Sequence, residues 1–129
     1  MGAITTRRDI GFGLGQHAST FGGCPLACAA ALASIEAIKE DELVKRSKEN
    51  GTYFMEKLRN MEREDVVDVR GKGLMIGIEI EYPCSKFVDF ARENGVLLNC
   101  VSDSVLRLVP PLVITKEQID RVVDVLEQA

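Results

Sequence analysis

The 129 residues carry 16 basic and 20 acidic side chains, a formal net charge of −4, and 46% of the chain is hydrophobic. That is enough for one ordinary core, and with acids and bases interspersed and Arg7-Arg8 too short for a basic patch it excludes a nucleic-acid footprint. No apolar run approaches the roughly 20 residues that cross a bilayer, and the N-terminus lacks a charged-then-apolar signal, so no membrane partner is expected and a cytoplasmic protein is.

Met1 to Gly23 reads as a strand end, a charged turn at Thr5-Thr6-Arg7-Arg8-Asp9 and a glycine-rich loop with little of its own to pack. From Pro25 a helix runs through Leu32, Ile35 and Ile38, and the charge at Lys39-Glu40-Asp41-Glu42 predicts a kink or break. A second helical stretch carries Leu43, Ser47, Gly51, Phe54, Leu58 and Met61 on one stripe, with Gly51 there for close packing against a neighbour. Val66–Val69 and Leu74–Glu81 read as strands around a Gly71-Lys72-Gly73 turn, the second with Leu74, Ile76, Ile78 and Ile80 on one face. Pro83 opens a helix through Phe87, Phe90 and Ala91 that stops at Asn94-Gly95. Val96–Cys100 and Val105–Val109 read as two more strands turning at Ser102-Asp103-Ser104, and Thr115 with Gln118 forms a capping box for the last helix. The expected fold is α+β: a mainly antiparallel sheet of about four strands with helices on one face, preceded by a long helix.

Two places carry candidate chemistry. The run Gly15-Gln16-His17-Ala18-Ser19-Thr20-Phe21-Gly22-Gly23-Cys24-Pro25 joins a hydroxyl pair, glycines and a helix start, a combination able to hold a phosphate; the bland alternative is an ordinary glycine-rich loop. Arg107 projects opposite Leu106 and Leu108 from an apolar strand, and its planar fork suits either a ligand carboxylate or a structural salt bridge. Lys72 at a solvated hairpin tip lacks the desolvation a nucleophilic amine needs, His17 reads as a loop hydrogen-bonder, and Glu40-Asp41-Glu42 and Glu62/Glu64 read as solvated faces. Cys24, Cys28, Cys84 and Cys100 lack zinc spacing beside a single histidine, so no metal site is expected and all four read as buried reduced thiols.

The loop resembles the His-Gly-Ser-Thr-Phe-Gly-Gly-Asn-Pro-Leu-Ala motif of class III pyridoxal-phosphate aminotransferases, with Ala18 for the usual Gly and Cys24 for the usual Asn. Arg70-Gly71-Lys72-Gly73-Leu74-Met75-Ile76-Gly77-Ile78-Glu79 resembles the first hairpin of the family's small domain. Leu106-Arg107-Leu108-Val109-Pro110-Pro111-Leu112-Val113-Ile114-Thr115 resembles its substrate-binding strand and exit. The resemblance spans nearly the whole chain and is closest to the acetylornithine and ornithine aminotransferases. It implies the small C-terminal domain of a fold-type I aminotransferase: residues 1–23 a remnant of the large cofactor domain, 24–62 a long connecting helix with a kink, and 63–129 the small α+β domain.

The same resemblance implies transfer of an amino group from N-acetylornithine or ornithine to 2-oxoglutarate, in arginine biosynthesis, by a pyridoxal 5′-phosphate homodimer. Thr20 would reach the cofactor phosphate bound by the partner subunit, and Ser19 and Arg107 would bind substrate, Arg107 through the α-carboxylate. The Schiff-base lysine would lie upstream of Met1, leaving no catalytic residue in this chain, which is expected to be inactive alone and not to hold the cofactor stably. Another class III enzyme, such as a 4-aminobutyrate aminotransferase, or a free-standing α+β module binding a small carboxylate, remains an alternative.

Overall fold

The computed structural model describes Gly2 and residues 4–129, and divides into two compact units, Met1–Asp41 and Glu42–Ala129. Met1 and Ala3, where the sequence places a strand end, lie outside the described residues. In the first unit the loop gives way to helix α1, Pro25–Glu40. Proline at the first helical position forfeits no bond, since that N–H has no intrahelical partner. Cys24 at the N-cap makes no side-chain bond, the cost of having no Asn there. No residue of α1 is buried, and Leu26, Leu32 and Ile35 are exposed.

The second unit begins with Glu42 in the left-handed region (φ 50°), followed by helix α2, Leu43–Arg59. Then come strands β1 (Val66–Lys72) and β2 (Met75–Ile80), helix α3 (Ser85–Glu93), strands β3 (Asn99–Val101) and β4 (Val105–Leu108), and helix α4 (Lys116–Gln128). The four strands form one antiparallel sheet in the order β1-β2-β4-β3, as expected. Helix α2 packs on β1, β2 and α4, and α3 packs on β3 and α4. Strand alternation sends Val69, Ile76, Ile78, Leu106 and Leu108 into a core with Phe54, Leu58, Phe87, Ile119 and Leu126. The opposite sheet face carries Asp68, Arg70, Met75, Gly77, Glu79, Asn99, Val105 and Arg107 and has no helix over it within the unit.

Local chemistry sets the ends. A Cβ on Gly51 would lie 2.1 Å from the Gly73 carbonyl oxygen, so the glycine lets α2 touch the β1–β2 turn. Gly95 (φ 78°) ends α3 with the paired bonds of a Schellman motif: Val96 N–H to the Ala91 carbonyl at 2.8 Å and Gly95 N–H to Arg92 at 3.1 Å. Thr115 and Gln118 close the expected capping box of α4. Two expectations change. Val96–Leu98 is not strand, because β3 pairs with β4 only from Asn99. Cys84 and Cys100 are not two free thiols but a disulfide, Cα–Cα 5.8 Å, joining the start of α3 to β3, whereas Cys24 and Cys28 are free. Spacing in sequence could not show that a helix start and an edge strand meet.

Candidate active site

Leu106 and Leu108 are 0% and 5% exposed, so Arg107 between them must point to the open face. Its cross-strand neighbours are Asn99 on β3 and Gly77 on β2, the latter with no side chain to cover it. Among the described residues its guanidinium has neither an ion pair nor a side-chain hydrogen bond, which removes the structural-salt-bridge alternative within this unit. The residue is among those lining a cavity of about 450 Å³, with Phe54, Leu98, Val109, Pro111 and Arg121 among the others. A free planar cation on an open strand face is the chemistry of a carboxylate anchor. Arg121, the second arginine of that lining, donates to the Asn94 carbonyl at 3.2 Å and so caps the end of α3.

On the far side of Gly77 stands Arg70, which is fully engaged: its Nη1 lies 2.9 Å from Asp68 and 2.6 Å from Glu79. Residue patterning alone does not single out this pair. Its signal was the hairpin itself, since antiparallel pairing around residues 73 and 74 puts 70 opposite 77 and 79 opposite 68.

Ser19 and Thr20 belong to the first unit and Arg107 to the second. Both hydroxyl residues are exposed. Gly22 N–H donates to the Ser19 carbonyl at 3.2 Å and Cys24 N–H to the Phe21 carbonyl at 3.2 Å, two overlapping turns of which the second holds Gly23 at φ 75°. A Cβ on Gly22 would stand 3.1 Å from Ser19 Cβ, so each glycine has a distinct steric reason. Ala18 does not require a positive φ, so its departure from the motif is harmless to the turn. His17 stacks on Phe12, ring centroids 5.1 Å apart, a packing role in place of the expected hydrogen bond.

One further cluster was invisible in the sequence. Arg63 holds Asp65 through two hydrogen bonds of 2.9 and 2.6 Å, donates to the Leu126 and Ala129 carbonyls at 2.9 and 2.8 Å, and lies 4.7 Å from the Phe87 ring centre. The guanidinium, joined by the Tyr82 hydroxyl, brings the Asp65 carboxyl down to about 2 against its partial burial. This cluster ties the end of α4 to the sheet and is structural.

Comparison with known proteins identifies the family. The family model "Aminotransferase class-III" matches residues 1–129. The chain belongs to the class III aminotransferases. It is 77% identical over all 129 residues to an acetylornithine aminotransferase of Methanosarcina mazei, covering 33% of that protein. It is 44% identical over 119 residues to an ornithine aminotransferase of Geobacillus, covering 91% of this chain and 30% of the relative. Among solved structures it matches an acetylornithine aminotransferase from Elizabethkingia anophelis with a TM-score of 0.83 at 35% identity, over 91% of this chain and 32% of the other. The chain therefore spans about a third of the length of these class III relatives.

Proposed function

We propose that this chain is the C-terminal portion of a cytoplasmic, homodimeric aminotransferase that moves an amino group from N-acetylornithine or ornithine to 2-oxoglutarate in arginine biosynthesis. Relatives bearing the acetylornithine and ornithine aminotransferase names, at 77% and 44% identity, support the substrate class. In domain terms, residues 1–23 belong with the large domain and 24–62 connect it to the small domain, 63–129, whose core α2 completes.

The observation that carries the reading is the unpaired guanidinium of Arg107 on the open sheet face. Charge-assisted hydrogen bonds of about 1.5–3 kcal/mol each suit it to the α-carboxylate, and a fixed carboxylate holds the reacting carbon in one orientation. Ser19 lies beside the substrate in this reading. Thr20 offers its exposed hydroxyl, on a turn whose glycines allow close backbone approach, to the phosphate of pyridoxal 5′-phosphate bound by the partner subunit; these groups fit a phosphate. When bound, that cofactor supplies an electron sink for the amino transfer. The lysine that carries it belongs to the portion outside this chain, so the chain by itself neither holds the cofactor stably nor turns over.

The test is Arg107→Ala in the full-length enzyme. KM for the amino donor should rise at least about tenfold, the loss of one charged hydrogen bond. An unchanged KM refutes the anchor role. The chain alone, mixed with cofactor, donor and oxoacid, should give no turnover, and calorimetry with ornithine or glutamate should give no heat; measurable binding would favour a free-standing carboxylate module.

A further inference from the structure

The open sheet face contains two arginines and one glutamate placed to reach either. Gly77 pairs with Arg70 on β1 and with Arg107 on β4, so the two arginines stand in one row on either side of a residue without a side chain. Glu79, two residues along β2 on the same face, pairs directly with Asp68 and Val105 and is therefore the diagonal neighbour of both arginines. Diagonal pairs lie about 7–8 Å apart at Cα, well within the reach of long side chains. Glu79 takes one of them: its Oε2 is 2.6 Å from Arg70 Nη1, and Arg107 is left free.

We propose that Arg70 is a positioning residue whose task is to occupy Glu79 and so keep the Arg107 guanidinium open to the incoming substrate carboxylate. This rests on the reading of Arg107 as the carboxylate anchor. A glutamate released on the same face would compete for Arg107 as a tethered ligand, at an effective concentration on the millimolar scale of ordinary substrates. Gly77, in the row between them, contributes no side chain to separate them. A Cβ on Gly77 would meet only Val105 Cγ1 at 3.5 Å and the Arg70 carbonyl at 4.0 Å, ordinary contacts, so the sheet does not demand glycine there, and its absence of a side chain leaves a trough bordered by Val105. Stability is a poor explanation for the Arg70–Glu79 pair, because its side chains are 53% and 38% exposed and such pairs add little to folding. Asp68, 2.9 Å from the same nitrogen, holds Arg70 on the β1 side of the trough and away from the substrate position.

The experiment is steady-state kinetics of the full-length holoenzyme. Arg70→Gln should raise KM for the α-carboxylate-bearing amino donor about tenfold with kcat within about twofold, and Arg70→Gln/Glu79→Gln should return KM to within about twofold of the parent. Arg70→Lys, which keeps a cation for Glu79, should stay near the parent. Both side chains are solvent-facing, and thermal melts verify that the variants fold. If Arg70→Gln leaves KM unchanged while Arg107→Ala raises it, the inference falls and the anchor stands. A rise that Glu79→Gln does not reverse also overturns it, since loss of sheet structure would not be rescued by removing a carboxylate. Should Arg107→Ala itself leave KM unchanged, the underlying reading fails first.

Discussion

A guanidinium on an exposed strand is ordinarily quenched by the nearest carboxylate, and on this sheet face Arg70 is quenched twice while Arg107 is not. Alternation along Val105–Val109 was enough to aim Arg107 away from the core, because period-two patterning depends only on adjacent residues. The Arg70–Glu79 pairing could be drawn from the hairpin, but that Arg107 would stay unpaired was not legible, since that depends on the register of β4 on β2. Asp65 shows the same limit in a structural role. Its carboxyl, normally near 3.8, is held at about 2 by Arg63, so the folded form binds its proton less readily than the unfolded chain. Its contribution is therefore complete above pH ~4, falls as pH drops through the interval to ~2, and is gone below it. Asp65→Asn should cost about 2 kcal/mol at pH 7 and almost nothing near pH 2, measured by denaturant unfolding at both pH values.

Elements whose ends are governed by local rules were readable directly. Pro25, the Asn94-Gly95 stop and the Thr115/Gln118 box all act within one turn of themselves. Thr115→Ala should destabilise the second unit by about 1 kcal/mol through loss of the Gln118 N–H bond, read as a lower denaturant midpoint at constant slope. Gly51 was legible as a close-packing site but not in its target. With the Gly73 carbonyl in the way, Gly51→Ala must push α2 off the hairpin, and a loss of about 2–3 kcal/mol is expected in the same measurement. The cysteines went the other way. Composition and spacing argued for free thiols, and the fold joined two of them across 16 residues. A loop of that size predicts a loss of about 3 kcal/mol on reduction, checked by unfolding with and without dithiothreitol and by counting alkylated thiols.

At the scale of the molecule, the two units differ in what they bury. Residues 42–129 enclose Phe54, Leu58, Ile78, Leu106, Ile119 and Leu126 almost completely, and expressed alone they should unfold in one cooperative transition; a broad, non-cooperative melt would contradict this. The first unit buries no described residue and leaves Phe21, Leu26 and Leu32 exposed. A 16-residue helix with so little packing of its own is marginal in water, and its amides should exchange far faster than those of β2 or β4. By itself the sequence determined the element types, most of their ends, the four-stranded α+β class and the residues that resemble a class III site. These follow from periodicity, capping and motif order, all carried by neighbours along the chain. Only the tertiary structure decided the strand order β1-β2-β4-β3, the Cys84–Cys100 bond, the Arg63 cluster and the division of labour between Arg70 and Arg107. Each of those joins residues far apart in sequence, through contacts that exist only after the sheet has chosen its register and the helices have closed over one face.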